Sequence, residues 1–166
     1  MSQLKPVFRP DGTITAGNAC PLNDGAAALV IMSDSKAKQL GLTPLARVVA
    51  TAATGLSPEI MGLGPIEAIR KVLRISGMSL SDIDLVEINE AFAVQVLGSA
   101  NELGIDHDKL NVSGGAIALG HPFGMTGARI TTTLLNNLQT RDKTFGIESM
   151  CVGGGQGMAM VLERLS

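Results

Sequence analysis

The sequence predicts an α/β protein in which helices cover a mixed, mostly parallel sheet of five strands. Short apolar runs alternate with amphipathic helical segments in the order β-α-β-α-β-α-β-β, the pattern expected for right-handed crossover units. Glycine, asparagine and proline clusters separate these segments. At 166 residues, 45% hydrophobic and 17% charged, the chain has the size and composition of one folded domain with a short attached segment.

The first part of the chain contains two apolar runs. Residues 1–24 are rich in turn-forming types and predict a loop. Residues 25–33, GAAALVIMS, predict a short buried strand, and residues 34–41 predict a charged helix that ends at Gly41. Residues 45–54 are rich in β-branched types and predict a second strand.

The middle of the chain continues the alternation. Pro65 occupies a favoured first helical position, and apolar residues recur with helical spacing until Gly77. Residues 84–89, DLVEIN, predict a third strand. Residues 90–104 then predict a helix that ends at glycine.

The last part of the chain predicts the remaining strands. Residues 110–115, LNVSGG, predict a strand that leads into a glycine-rich loop, and residues 126–139 predict a helix. Residues 145–152 and 157–165 are separated by only GGGQ, so they predict an antiparallel hairpin.

Composition excludes several classes of function. The net charge is −2 and the aromatic content 2%, which disfavours nucleic-acid binding. No apolar run reaches the roughly 18–20 residues of a membrane span, and the first residues lack the apolar core of a signal peptide. Two cysteines form no disulfide framework, so we expect a cytoplasmic protein without membrane or nucleic-acid partners.

Three residues that can carry chemistry lie at the ends of different predicted strands. Cys151 precedes glycines 153–155, whose uncovered backbone N–H groups could stabilise a developing oxyanion. His121 lies in the loop SGGAIALGHPFGMTGAR, where glycines leave room around a potential proton acceptor. Asn89 ends the third strand, where its carboxamide could polarise a carbonyl or orient a water molecule.

Each of these residues also has a purely structural interpretation. Cys151 could be a buried core thiol, and His121 a loop histidine that only satisfies hydrogen bonds. Asn89 could cap the helix that follows it. His107 lies among charged residues and is interpreted as a surface side chain. No close-spaced ligand pair indicates a metal site, and a dinucleotide-binding domain would explain the glycines but not these three residues.

Four segments together resemble the thiolases, the acyl-CoA:acetyl-CoA C-acyltransferases. Three of them, VEINEAFAVQ, NVSGGAIALGHPFGMTGAR and CVGGGQGMAMVLE, are similar to C-terminal signature stretches of that family, and DGTITAGNACPLNDGAAALVIMS is similar to the segment before them. The resemblance implies that residues 1–44 form the end of the N-terminal thiolase domain. Residues 45–166 would form the C-terminal domain, a βαβαβαββ unit.

The resemblance also implies roles for individual residues. His121 would activate a nucleophilic cysteine, and Cys151 would move protons to and from the substrate. Asn89 would hold a water molecule that shares an oxyanion hole with His121, and the Gly153 N–H would contribute to a second hole. The substrate pocket would include Ala16, Cys20, Met61 and Phe92. Coenzyme A and acyl-CoA would be substrates, with no metal or separate cofactor.

The sequence departs from the family in one important respect. Neither Cys20 nor Cys151 lies in the motif of the family's nucleophile. We therefore expect the chain to be incomplete by itself, and to need an N-terminal thiolase half or full-length subunits in a homo-oligomer. Two hypotheses follow: the C-terminal portion of a working thiolase, or an inactive thiolase-like fragment that serves as a structural or interaction module.

Overall fold

The computed structural model describes residues 3–166 and confirms the α/β prediction. One mixed sheet has the strand order β1-β4-β3-β2. The strands are β1 (Ala46–Gly55), β2 (Leu85–Ile88), β3 (Phe145–Val152) and β4 (Gln156–Arg164). The last strand runs antiparallel to both of its neighbours, whereas β2 and β3 pair in parallel. Three strands therefore point in one direction, and the predicted antiparallel hairpin is confirmed.

The helices connect these strands much as predicted. They are α1 (Asp34–Leu40), α2 (Gly64–Ser76), α3 (Ala93–Leu103), α4 (Ala116–Leu119) and α5 (Thr126–Thr140). The predicted terminators Gly41, Gly77 and Gly104 all take left-handed φ angles, of 65°, 71° and 69°. None of the helices between residues 3 and 166 is long and apolar enough to cross a membrane.

Two apolar clusters lie on opposite faces of the sheet. Helices α2 and α3 cover one face, where Ile69, Ile88 and Ile147 are fully buried. Helix α5 covers the other face, where Leu134 and Leu138 pack against β2 and β4. Because side chains alternate along a strand, odd-numbered residues of β2 and even-numbered residues of β3 face α5.

The prediction of a buried strand at residues 25–33 is wrong. No strand is assigned there, and Val30 and Ile31 are 86% and 78% exposed. The segment has strong β propensity, but no strand among residues 3–166 pairs with it. Strand formation requires backbone partners, so propensity alone does not produce a strand.

The predicted strand at residues 110–115 is also wrong, and the sheet has four strands instead of five. Leu110 makes one isolated parallel bridge to Val86. The next residue, Asn111, has a φ of 44°, which is incompatible with an extended strand. Its side chain accepts from the Ile88 N–H at 2.8 Å and donates to the Ile88 carbonyl at 2.9 Å. The Asn111 carboxamide thus makes the hydrogen bonds to Ile88 that a neighbouring strand would make.

Helix α3 begins at Ala93, three residues later than predicted. The backbone before it pairs with an earlier loop instead of turning into a helix. Phe92 is extended and forms a bridge with Ala19, and the Ala91 carbonyl accepts from the Cys20 N–H at 3.0 Å. This pairing fixes residues 19–20 beside the end of β2.

Candidate active site

The carboxyl ends of β2 and β3 lie side by side and bring several candidate residues together. The Asn89 N–H donates to the Ser149 carbonyl at 2.9 Å, which places Asn89 beside the strand that carries Cys151. Cys20 is held next to Ala91 by its backbone hydrogen bond. Sites in open α/β sheets form at this edge.

The Asn89 side chain is fully buried and only half satisfied. Its Oδ1 accepts a hydrogen bond from the Arg129 guanidinium, with an Nη2–Oδ1 distance of 3.1 Å. Its Nδ2 has no partner within the described residues 3–166. The helix-cap interpretation is wrong, because α3 begins at Ala93 and receives no side-chain cap. A buried amide donor without a partner is suited to bind an oxygen atom that is not part of this chain.

Arg129 and two buried glutamates lie directly beneath Asn89. Arg129, on α5, donates through Nη1 to the Glu87 carboxylate at 3.0 Å. Glu87 pairs in register with Glu148 on the neighbouring strand, so the two carboxyl groups are cross-strand neighbours. Burial raises the pKa of each carboxyl group to about 7, although Arg129 lowers that of Glu87 and the Thr131 hydrogen bond lowers that of Glu148.

The two glutamates have different hydrogen-bond partners. The Thr131 Oγ1 lies 2.8 Å from the Gly127 carbonyl and 3.0 Å from the Glu148 Oε2, and its hydroxyl donates towards both. Glu87 faces the Arg129 guanidinium instead. Glu87 is therefore the ion-paired carboxylate, and its negative charge helps to raise the pKa of Glu148.

His121 is held in one tautomer by the helix that follows it. Its Nδ1 lies 2.6 Å from the Thr126 Oγ1, and that hydroxyl is 3.0 Å from the Pro122 carbonyl. Because Thr126 donates to Pro122, the hydroxyl accepts from an Nδ1–H group. The Nε2 atom is therefore left with its lone pair free. A side chain in this state can accept a proton through Nε2.

The electrostatic surroundings keep His121 neutral. Partial burial lowers the pKa of the imidazole, and the positive charge of Arg129 lowers it further. Both effects disfavour the imidazolium form, so the ring is uncharged at neutral pH. A neutral ring with a free Nε2 is the form that a general base requires.

Glu90 connects the end of β2 to the loop that carries His121. One carboxylate oxygen accepts from the Asn111 side chain at 3.1 Å, and the other accepts from the Ile117 N–H at 3.1 Å. A Cβ at position 115 would lie 2.6 Å from the Glu90 carboxyl carbon, so a larger residue there would displace this side chain from its present contacts. The glycines of this loop thus allow a close approach that fixes the loop against the strand.

Cys151 is a buried thiol at the end of β3. Burial raises the pKa of its thiol above the ordinary value, and the nearby Cys20 raises it further, while a backbone hydrogen bond acts in the opposite direction. The group is therefore protonated at neutral pH and can donate a proton. Gly153, two residues on, lies exposed at the hairpin turn, where Gly154 and Gly155 take φ angles of 85° and 89°.

The predicted pocket residues lie around the same edge, but not equally close. Cys20 and Phe92 are both partly buried. A backbone bridge between Ala19 and Phe92 joins the two segments in which they lie. Met61 is partly buried in the 3-10 helix Pro58–Leu63, which packs against α3. Ala16 is exposed in a turn four residues before Cys20. Burial raises the pKa of the Cys20 thiol, and both cysteines are free.

Sequence reasoning missed Arg129, Glu87, Glu148 and Thr126. A signal for the glutamates was present, because each interrupts an otherwise apolar strand, in DLVEIN and in FGIESM. Their pairing depends on strand register, which those patterns do not specify. In the described part of the chain, no group of three or more histidine, cysteine or acidic side chains could hold a metal ion.

Comparisons with known proteins give a consistent family assignment. The family model described as thiolase, C-terminal domain, matches residues 42–164, and the thiolase N-terminal domain model matches residues 1–35. The chain is 57% identical to the acetyl-CoA acetyltransferase of Escherichia coli over all 166 residues and 42% of that protein. It is 52% identical to the 3-ketoacyl-CoA thiolase of Cronobacter sakazakii, over 99% of this chain and 44% of the relative.

Solved structures agree with this. The Bacillus anthracis acetyl-CoA acetyltransferase matches 99% of the chain with a TM-score of 0.97 and 55% identity, over 42% of its own length. Human mitochondrial 3-ketoacyl-CoA thiolase in complex with CoA matches with a TM-score of 0.93 and 47% identity, over 99% of this chain and 42% of its own. The chain thus spans about two fifths of the length of these relatives. It belongs to the thiolase family and corresponds to the C-terminal portion of a thiolase.

Proposed function

We propose that this chain supplies the proton-transfer and oxyanion-binding part of a thiolase that cleaves a 3-ketoacyl-CoA, or forms one by the reverse Claisen condensation. The observation that carries the proposal is the common link of His121 and Asn89 to Arg129: its charge acts on the His121 imidazole, and its guanidinium holds the Asn89 oxygen and leaves Nδ2 unpartnered. Cys151 ends the strand beside Asn89. Base, amide donor and thiol are the groups this chemistry needs around a nucleophile.

The proposed reaction assigns one task to each group. His121 Nε2 takes the proton of a nucleophilic cysteine that lies outside these 166 residues, and the resulting thiolate attacks the β-carbonyl of the substrate. A water molecule bound to Asn89 Nδ2, together with His121, stabilises the oxyanion. When the bond between the α- and β-carbons breaks, Cys151 gives its proton to the α-carbon. The products of this step are acetyl-CoA and an acyl-enzyme thioester.

The second half of the proposed reaction releases the acyl group. Coenzyme A loses its thiol proton to a base in the same site and attacks the acyl-enzyme thioester. The Gly153 N–H stabilises the second oxyanion, and the cysteine thiolate leaves. The Cys20, Met61, Phe92 and Ala16 side chains would border the pantetheine and acyl group. No metal or separate cofactor takes part in these steps.

A reconstitution assay tests this proposal. Acetoacetyl-CoA and CoA are incubated with the chain alone, with a polypeptide that carries a thiolase N-terminal domain, and with both together. Thiolysis is followed as loss of enolate absorbance, and intact mass spectrometry reports which polypeptide becomes acylated. We expect turnover only from the mixture, with the acyl group on the added polypeptide. Absence of turnover from a mixture that forms a stable complex would favour the inactive-module alternative.

We also propose that the chain associates with other thiolase chains, either an N-terminal half or full-length subunits in a homo-oligomer. Support comes from the exposed apolar residues of the segment 22–32, where Leu22, Val30 and Ile31 are at least 78% exposed. Analytical ultracentrifugation provides the test, because a monomer at all accessible concentrations contradicts the homo-oligomer. A domain division between residues 44 and 45 and a cytoplasmic location remain parts of this proposal.

A further inference from the structure

We propose that Arg129 is a positioning residue: it fixes the orientation of the Asn89 carboxamide and thereby directs the free Nδ2 hydrogens towards the substrate side of the site. The catalytic consequence of this inference rests on the proposed function. Its structural content does not, because it concerns contacts within this chain. Arg129 is the last residue of the signature stretch NVSGGAIALGHPFGMTGAR, but the predicted site residues do not include it.

The chemistry of arginine determines which atom of Asn89 it faces. A guanidinium has only donors, so the atom 3.1 Å from Nη2 must be the carboxamide oxygen. The carboxamide is planar, and the nitrogen therefore points away from the guanidinium. Without Arg129, Asn89 could place either its oxygen or its nitrogen towards the site. Only one of these orientations donates a hydrogen bond to an oxyanion or to a water molecule that supports it.

Glu87 determines where Arg129 lies. The carboxylate accepts from Nη1 at 3.0 Å, and the Glu87 side chain is 2% exposed. Glu87 and Asn89 are two residues apart, so they project from the same face of the chain towards α5. One guanidinium fork thus contacts both side chains, with Nη1 on Glu87 and Nη2 on Asn89. The ε-ammonium of a lysine cannot match this planar geometry.

The charges around the guanidinium support this arrangement. Glu87 on β2, Glu148 on β3 and Glu90 beyond β2 are the acidic groups near it, and His121 and Cys151 are the titratable groups on the site side. Glu87 forms the direct ion pair, so it is the carboxylate that balances Arg129. The positive charge also holds the pKa of His121 down, so one residue influences both the amide donor and the base.

Side-chain NMR of the full 166-residue chain gives a test that needs no turnover. The chain has two histidines, so the exposed His107 provides an internal reference for the imidazole of His121. We compare wild type with Arg129→Met, Arg129→Lys and the matched control Arg141→Met, which removes an exposed arginine at the other end of α5. The readouts are the Asn89 side-chain NH2 signals and the pH titration of His121.

The two variants at position 129 separate orientation from charge. In Arg129→Met, we expect the Asn89 NH2 signals to broaden or shift and the pKa of His121 to rise. In Arg129→Lys, we expect the Asn89 signals to change while the pKa of His121 stays close to that of wild type, since the charge remains. Asn89 signals and a His121 titration that match Arg141→Met in both variants would overturn the proposal.

A second variant covers the case in which Arg129→Met does not fold, because it leaves Glu87 buried and unpaired. The double variant Glu87→Gln with Arg129→Met removes both charges of the pair. We expect it to fold and still to lose the wild-type Asn89 signals. Wild-type Asn89 signals in this double variant would show that the backbone alone orients the carboxamide, and would overturn the proposal.

Kinetics of the reconstituted enzyme test the catalytic consequence separately. We expect Arg129→Lys to lower kcat by roughly 100-fold with little change in KM, because the misplaced donor acts on the transition state. If wild type shows no turnover but the Asn89 signals depend on Arg129, the proposed function fails and the positioning role stands. If wild type turns over and Arg129→Lys matches it in kcat, the positioning role fails and the proposed function stands.

Discussion

Two short segments of this chain reverse the usual relation between hydropathy and burial. In and after β2, the polar residues Glu87 and Asn89 are 1% and 0% exposed. In residues 25–33, an almost wholly apolar run leaves Val30 and Ile31 largely in solvent. Both segments were predicted to be strands from sequence. The difference shows that burial depends on which partners a segment finds within the structure, and hydropathy only sets a preference.

The polar segment tolerates burial because its one charge, that of Glu87, has a defined partner. Glu87 pairs with Arg129, and Arg129 also satisfies the Asn89 oxygen. A buried ion pair is stable only when such additional hydrogen bonds are present. The apolar segment lacks an equivalent partner among residues 3–166, apart from a close approach of Gly25 to Pro122 and Met125.

The largest expected effect contrasts apolar residues from the two segments. Ile88→Ala removes a fully buried side chain from β2 and should lower the free energy of unfolding by about 4 kcal/mol, from lost burial and cavity formation. Ile31→Ala should change it by less than about 0.5 kcal/mol, because the side chain is already exposed. Urea unfolding followed by circular dichroism measures both. Equal losses would show that residues 25–33 are buried in solution.

The next effect concerns the amide donor of the polar segment. Asn89→Asp keeps an oxygen facing Arg129 but replaces the free N–H groups with a second acceptor. In the reconstituted enzyme, kcat should fall by about 10²–10³-fold, the usual loss for one oxyanion-hole donor. The exposed Asn136→Asp on α5 is the matched control and should retain activity. Wild-type kcat in Asn89→Asp would remove this residue from the mechanism.

A smaller effect is expected in the pH dependence of stability. Burial raises the pKa of Glu148 to about 7, above the ordinary 4.5, so the folded state binds the proton more tightly than the unfolded state. The stabilisation is fully present below pH 4.5 and is lost as the pH rises through about 7. At about 1.4 kcal/mol for each pH unit, the loss amounts to roughly 3–4 kcal/mol.

Replacement by glutamine isolates this contribution from other titrating groups. Glu148→Gln is permanently neutral, so its stability relative to wild type should increase between pH 5 and pH 8. The exposed Glu102→Gln should show no such trend, because its ion pair with Arg70 lies in solvent. Urea titrations at several pH values measure the difference. A constant difference between Glu148→Gln and wild type would mean that burial does not raise the pKa of Glu148.

The sequence predicted most of the helices and the three strands that run in the same direction. Helical spacing and the terminal glycines 41, 77 and 104 are local signals, and each was confirmed. The two wrong strands depend on non-local events. Residues 25–33 lack a pairing partner, and the side chain of Asn111 takes the hydrogen bonds that a fifth strand would make.

The same division applies to the candidate site. Strand order in an α/β fold was sufficient to bring Asn89 and Cys151 to one edge, because parallel strands end together. The hydrogen bonds that Arg129 makes with Glu87 and Asn89 were not predictable in this way. Arg129 meets Glu87 only because α5 crosses β2 at one particular register, and register follows from packing of the whole sheet. Catalytic roles for the predicted residues remain predictions until the reconstituted enzyme is measured.

The smallest predicted effect again compares a buried polar group with an exposed one of the same kind. Thr126 is fully buried and accepts from His121 Nδ1, so Thr126→Val leaves that N–H unsatisfied in nearly the same volume. We expect kcat/KM to fall by about tenfold, because the tautomer with a free Nε2 is no longer favoured. Thr126→Ser keeps the hydroxyl and should stay within about threefold of wild type.

The matched control for this change is Thr132→Val on the exposed side of α5, where the hydroxyl contacts only its own helix at the Ala128 carbonyl. It should leave kcat/KM unchanged. The nitrogen chemical shifts of His121 report the tautomer directly, and they should change in Thr126→Val but not in Thr126→Ser or Thr132→Val. If Thr126→Ser loses activity and Thr126→Val retains it, the methyl packing of residue 126 and not its hydroxyl positions the imidazole. Buried polar groups would then matter here for shape rather than for hydrogen bonding.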